Sequence, residues 1–125
     1  MLNELLALEK SFQGFTYPKA FIKTVELNLI DFDIWHIMDE KQVMLRVEGL
    51  RQRYPKRMLI PFARREDNDD IACFEIGGGS KVFIIHDYAS EGWEHRKEFS
   101  DFWDWFECVV KDLIAYEREE EKSDF

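Results

Sequence analysis

Three short apolar runs, MLIPFA (58–63), DIACFEI (70–76) and KVFIIHDY (81–88), separated by RREDND (64–69) and GGGS (77–80), decide the fold. Each run is rich in β-branched and aromatic residues and is bounded by turn-forming ones, which reads as a strand. Glycines permit the positive φ angles that a tight hairpin requires, so the last two runs are expected to pair through residues 77–80. Pro61 cannot donate to a ladder and should sit at an edge or a bulge. The expectation is an antiparallel meander.

Outward from the meander the period changes from two residues to about three and a half. Residues 2–13 place Leu2, Leu5, Leu6, Leu8 and Phe12 mainly on one helical face, with Gly14 as a stop. A second helix is expected to begin at Pro18, carrying Phe21, Ile22, Val25, Leu29 and Ile30 along its apolar stripe. IWHIM (34–38) reads as a short strand. Asp39 is placed to cap a helix reaching Arg53, with Val43, Val47 and Leu50 inward and the arginines outward. Tyr54-Pro55 ends it, because the residue before proline is pushed out of the helical region. After the meander, ASEGWEHRKE (89–98) is read as a loop. A last helix follows from about Ser100, with Phe99, Phe102, Trp103, Phe106, Val109, Val110 and Leu113 as a broad stripe for the sheet. Residues from about 118 to 125 are expected to fray. Helices, then meander, then a closing amphipathic helix make the fold class α+β, in one domain spanning 1–125.

Of the 125 residues, 46% are apolar and 15% aromatic, enough for a core without staples. MLNELLALEK carries acids among its apolar residues, so no secretory leader is expected, and no apolar run is long enough to span a bilayer. Cys73 and Cys108 both lie among apolar neighbours, where a free thiol behaves as a small hydrophobe. A reducing cytoplasm is the simplest home, away from the membrane, and a monomer or weak homodimer is expected.

The formal net charge is −9, unevenly spread. Residues 1–45 hold seven acids and four bases; 46–65 hold one acid against seven bases; 66–125 hold eighteen acids against six bases. The basic stretch is interrupted by apolar residues and is expected to pair with the acidic half of the same molecule rather than with nucleic acid. The acidic half could instead steer a cationic partner, or simply keep the surface solvated.

Sequence-local chemistry is sparse. His36, His86 and His95 come without CxxC or HExxH, so no metal site is expected. Cys73 and His86 could lie on paired strands, but a nucleophile needs exposure and an orienting third group, and Ala72 and Phe74 point to burial. The acidic run 67–70 lacks the spacing, glycine and terminal glutamate of a calcium loop and reads as a turn. GGGS lacks the GxxxxGK[ST] form of a phosphate loop. No cofactor and no enzymatic activity are expected. Trp93, in a charged loop beside Gly92, is the aromatic that no core pattern explains. Exposed tryptophan anchors interfaces, although this one could also fold back over the sheet.

LIPFARREDNDDIACFE (59–75), followed by a glycine turn, KVFIIHDYAS (81–90) and FSDFWDWFECVV (99–110), resembles the SUKH superfamily. That group takes in bacterial toxin-immunity proteins and yeast cell-wall-synthesis regulators of the Smi/Knr type. YPKAFIKTVE (17–26) looks like the family's early proline-led helix, while Asn28-Leu29-Ile30 stands where many members carry an asparagine-glycine element. The resemblance implies a non-enzymatic, protein-binding α+β domain that neutralises a cognate toxin, often a nuclease. The alternative it implies is a regulatory scaffold for an endogenous partner. On the immunity reading a basic toxin domain would meet Glu66, Asp67, Asp69, Asp70, Glu91, Trp93 and Glu94, with the charges speeding encounter and Trp93 anchoring.

Overall fold

The computed structural model describes residues 1–123. Among these, four helices, α1 (Leu2–Glu9), α2 (Lys19–Glu26), α3 (Glu40–Arg53) and α4 (Phe102–Ser123), accompany six strands. The strands are β1 (Asp31–Phe32), β2 (Trp35–Ile37), β3 (Leu59–Arg65), β4 (Asp70–Glu75), β5 (Val82–His86) and β6 (His95–Phe99). They form one sheet in the order β1-β2-β3-β4-β5-β6, every neighbouring pair antiparallel. The architecture is α+β, with the meander at its centre. No helix among the described residues is long and apolar enough to cross a membrane.

Side chains alternate between the two faces of a strand, so an unbroken apolar run demands cover on both. That is what β3, β4 and β5 receive. Phe62, Ala72, Phe74, Val82 and Ile84 pack with residues of α1, α2 and α4, including Leu5, Phe21, Phe102 and Trp105. Leu59, Ile71, Cys73, Phe83 and Ile85 alternate with them and pack against Leu50 and Tyr54 at the end of α3. Aromatic rings knit the first layer: Phe62 stacks on Phe74 with centroids 4.4 Å apart and meets Trp105 edge-on at 4.9 Å. Pro61 lies in a central strand, at the register shift between Pro61 and Ala63, which is the bulge its missing N–H calls for. Gly77 and Gly79 take φ of +85° and +66° in the β4–β5 turn.

α3 begins where expected. The Asp39 carboxylate accepts from the Gln42 amide, and the Gln42 side chain accepts from the Asp39 amide, both at 2.9 Å. This reciprocal box satisfies two donors that a helix start leaves open. Elsewhere the boundaries move. α1 stops at Glu9, with turns carrying Phe12 into the core. Pro18 serves as the cap of α2 rather than its first helical residue, and the helix ends at Glu26 because Asn28 turns left-handed at φ 54°. Ile30 is therefore buried from outside the helix, and Leu29 is exposed. Asp31–Phe32 hairpins onto β2, an extra strand.

The loop reading of 89–98 fails at its C-terminal part. His95–Phe99 is an edge strand, four of its five residues exposed. It draws its order from the β5 backbone, so side-chain pattern gives no sign of it, and its charges blunt a free sheet edge. Phe99 thus belongs to the sheet. α4 starts at Phe102, with Asp101 accepting from the Asp104 amide at 2.9 Å. α4 also continues helical through Ser123, past the point where fraying is expected. Glu107–Lys111 and Glu119–Lys122 pair along its exposed side. The rest of the expected tail, 124–125, lies outside the described residues.

Candidate functional site

A meander returns alternate turns to the same end, and this gathers three connections at one rim of the sheet. The amide of Glu66, just after β3, donates to Ile34 O in the β1–β2 turn at 3.0 Å. The Asp87 amide, just after β5, donates to Asp69 O in the β3–β4 turn at 3.1 Å. The acidic turn 66–69 and the loop 87–94, far apart in sequence, are neighbours.

Both are braced from within. Arg65 forks onto Asp67 through two bonds of 2.9 Å, and the guanidinium lowers the Asp67 carboxyl below the ordinary range. The Asn68 side chain accepts from the Asp70 amide at 2.8 Å, bending the turn. In the longer loop, Tyr88 is left-handed at φ 70° and its amide donates to its neighbour Asp87 at 2.8 Å. Tyr54, at the end of α3, donates from its hydroxyl to Ala89 O at 2.7 Å. Glu94 accepts from the Gly92 amide at 2.7 Å and from Arg57 at 3.3 Å, while the Trp93 amide donates to Ser90 O at 2.9 Å. Trp93 between them is 80% exposed. It does not fold over the sheet. A loop braced by hydrogen bonds presents a large apolar ring to water.

Five of the seven residues singled out from sequence line this rim openly: Glu66, Asp67, Asp69, Glu91 and Trp93 are exposed. The other two require correction. Asp70 is 7% exposed and held by Arg96 at 2.8 Å and by His86 at 3.1 Å. Glu94 is 6% exposed. Burial opposes its ionisation, but the Gly92 and Glu94 amides and Arg57 outweigh that and lower its pKa. Both carboxylates are used up in building the rim, and neither is free to meet a partner.

Two features escape a sequence reading. The first is Asp87, 0% exposed, which accepts from Arg46 at 2.8 Å and from Arg53 at 2.7 and 2.8 Å. Burial raises its pKa, yet the bonds from Arg53, Arg46 and the Tyr88 amide prevail and the carboxyl stays below its ordinary value. Arg53 also stacks over Tyr88, 4.2 Å from the ring centre. The seven-residue spacing of Arg46 and Arg53, two turns on one helical face, is the one signal of this clamp. Expected to point outward, these arginines turn onto the loop. Together with Arg57 on Glu75 and Arg65 on Asp67 they give the basic stretch its intramolecular partners.

The second is His36, remote from the other histidines in sequence and brought instead to carboxylates. Its Nδ1 lies 2.9 Å from Asp31 and its Nε2 2.7 Å from Glu66. These bonds, that of Asp31 first, raise its pKa above the ordinary imidazole value. Cys73 and His86 do not meet. Cys73 pairs with Phe83 on the face covered by α3, whereas Asp70, Ala72 and His86 take the other face. Burial drives the Cys73 thiol far up, so it stays protonated. A cleft of about 430 Å³ beside the Trp93 loop is lined by Tyr54, Lys56, Arg57, Glu91 and Glu94, with Arg57 and Glu94 already paired with each other. Comparisons with protein-family models, with curated proteins and with solved structures return no match.

Proposed function

We propose that the protein is a non-enzymatic binding module of the immunity type, acting in the cytoplasm by covering a basic toxin domain with its acidic rim. The observation that carries this reading is Trp93, 80% exposed on a loop pinned by Glu94, Arg57 and Tyr54. The bracing lowers the cost of ordering the loop on binding, and the ring offers the large apolar surface that makes tryptophan an effective anchor. Asp67, Asp69, Glu66 and Glu91 are exposed at the same end of the sheet, an acidic grouping suited to drawing in a cation-rich surface. The ordered motifs that resemble the SUKH superfamily support the same reading.

The test is co-expression with the product of the neighbouring gene, which this reading expects to arrest growth when expressed alone. Wild type should restore growth and form a stoichiometric complex. Trp93→Ala should weaken that complex by at least tenfold, an ordinary loss for an anchoring residue. Asp67→Lys combined with Asp69→Lys should slow association at low salt while leaving dissociation nearly unchanged. Wild-type affinity and association rate in both variants would remove the rim from the interface. Capture of an endogenous regulator, with no protection from arrest, would overturn immunity in favour of a scaffold role.

A further inference from the structure

At the far corner of the rim, the β1–β2 hairpin and the residue after β3 bring Asp33, His36 and Glu66 together so that one ligand atom from each lies within 4.8 Å of the others. Asp33 comes from the β1–β2 turn, His36 from β2 and Glu66 from the position just after β3. We infer that these residues bind a divalent transition-metal ion such as Zn²⁺, through His36 Nε2, an Asp33 oxygen and Glu66 Oε2, with water completing a tetrahedral shell.

Three observations carry the inference. Nitrogen and carboxylate oxygen are the donors such an ion takes, and three protein ligands plus water is a recurring arrangement. His36 is also oriented as a ligand should be. Its Nδ1 is held by Asp31 at 2.9 Å, leaving Nε2 to face Glu66 at 2.7 Å. A carboxylate on the far nitrogen of a ligating histidine fixes the ring and its tautomer. Finally, the corner is short of positive charge. Asp31, Asp33 and Glu66 form no ion pair with any lysine or arginine among the described residues, and Asp33 forms none with any partner. Arg65 is committed to Asp67, and Arg64, opposite His36 in the β2–β3 ladder, bonds to none of the three. Two carboxylates converging on one imidazole are relieved by a dication more fully than by a single proton. On binding, the ion replaces the proton on Nε2, which leaves to solvent. Sequence gives no hint of the site because its ligands are spread over 34 positions, without the short spacing of a zinc motif.

Co²⁺ reports both binding and geometry. The wild-type protein should take up one Co²⁺ with the visible absorption of a tetrahedral centre, and Zn²⁺ should displace it. His36→Gln should abolish the band, Asp31→Asn should weaken binding ten- to a hundredfold, and His86→Gln or His95→Gln should change nothing. Absence of a tetrahedral band in the wild type would overturn the inference, as would its persistence in His36→Gln. A second measurement needs no variant. Added Zn²⁺ should shift the ¹⁵N resonance of His36 Nε2 strongly and that of Nδ1 little; unmoved nitrogens would refute the site even if the variants failed to fold.

Discussion

Replacing Asp87 by Ala removes one carboxylate and strands two guanidinium groups. The side chain accepts four bonds of 2.7–2.8 Å, three of them from Arg46 and Arg53, and none of its surface reaches water. Each charge-assisted bond contributes about 1.5–3 kcal/mol net, but bonds sharing one acceptor do not add. Breaking a buried pair by removing one partner costs about 3–5 kcal/mol. Here both arginines keep about a quarter of their side chains in water and can be partly rehydrated, so the lower end applies, about 3 kcal/mol. With a urea m-value of about 2 kcal/mol/M, the unfolding midpoint should fall by about 1.5 M. The sign of the pH effect follows from the lowered pKa. Ionised Asp87 stabilises the fold fully above the unfolded-state value, about 3.9, and the gain is lost as pH falls through the lower folded-state value. The gap between wild type and Asp87→Ala should therefore be full near neutrality and narrow as pH falls below the unfolded-state value toward the lower folded-state one. Arg53→Ala should cost more than Arg46→Ala, since Arg53 supplies two of the three bonds. Urea unfolding at neutral and acid pH measures all of this. A loss under about 1 kcal/mol at neutral pH, or a gap that does not change with pH, would show that the clamp contributes little.

Three further expectations can be checked alongside. Cys73, wholly buried with its thiol kept protonated, should resist a thiol reagent in the native protein and react only on unfolding, with half-buried Cys108 labelled first. His36, bonded to Asp31 and Glu66, should titrate above 6.5 by NMR in metal-free protein; its pair stabilises the fold at lower pH and that contribution fades as pH rises through the folded-state value. Phe62→Ala, which empties the ring cluster between Phe74, Phe102 and Trp105, should cost about 3–5 kcal/mol in the same urea assay.

What the sequence disclosed depended on whether a signal was carried by side chains in a repeating pattern. The meander was legible because its strands are covered on both faces and so spell continuous apolar runs. α3 was legible because its cap is a local side-chain exchange between Asp39 and Gln42. β6 was hidden, since a charged edge strand takes its order from the ladder and buries almost nothing. The candidate rim was half legible. Its acids and Trp93 stood out as charges and an aromatic outside any core pattern, but composition says nothing of which carboxylate a neighbour will claim. Asp70 and Glu94 look identical in sequence to Asp69 and Glu91; only the folded positions of Arg96 and Arg57 separate them.

That separation bears on how the rim works. The acids that are buried hold the turns, and the acids that remain exposed are presented by them. Arg57 ties Glu94 to Glu75 at the opposite end of β4, and Arg53 ties Asp87 to α3, so Trp93 sits on a loop anchored to two layers of the fold. A mutation at Glu94 would thus act on binding through loop order rather than through lost contact. Glu94→Gln, which keeps an acceptor for the Gly92 amide, should bind a partner better than Glu94→Ala, with the difference in affinity matched by increased amide exchange at Gly92 and Trp93. Equal affinity for the two variants would mean that the anchor does not depend on its brace.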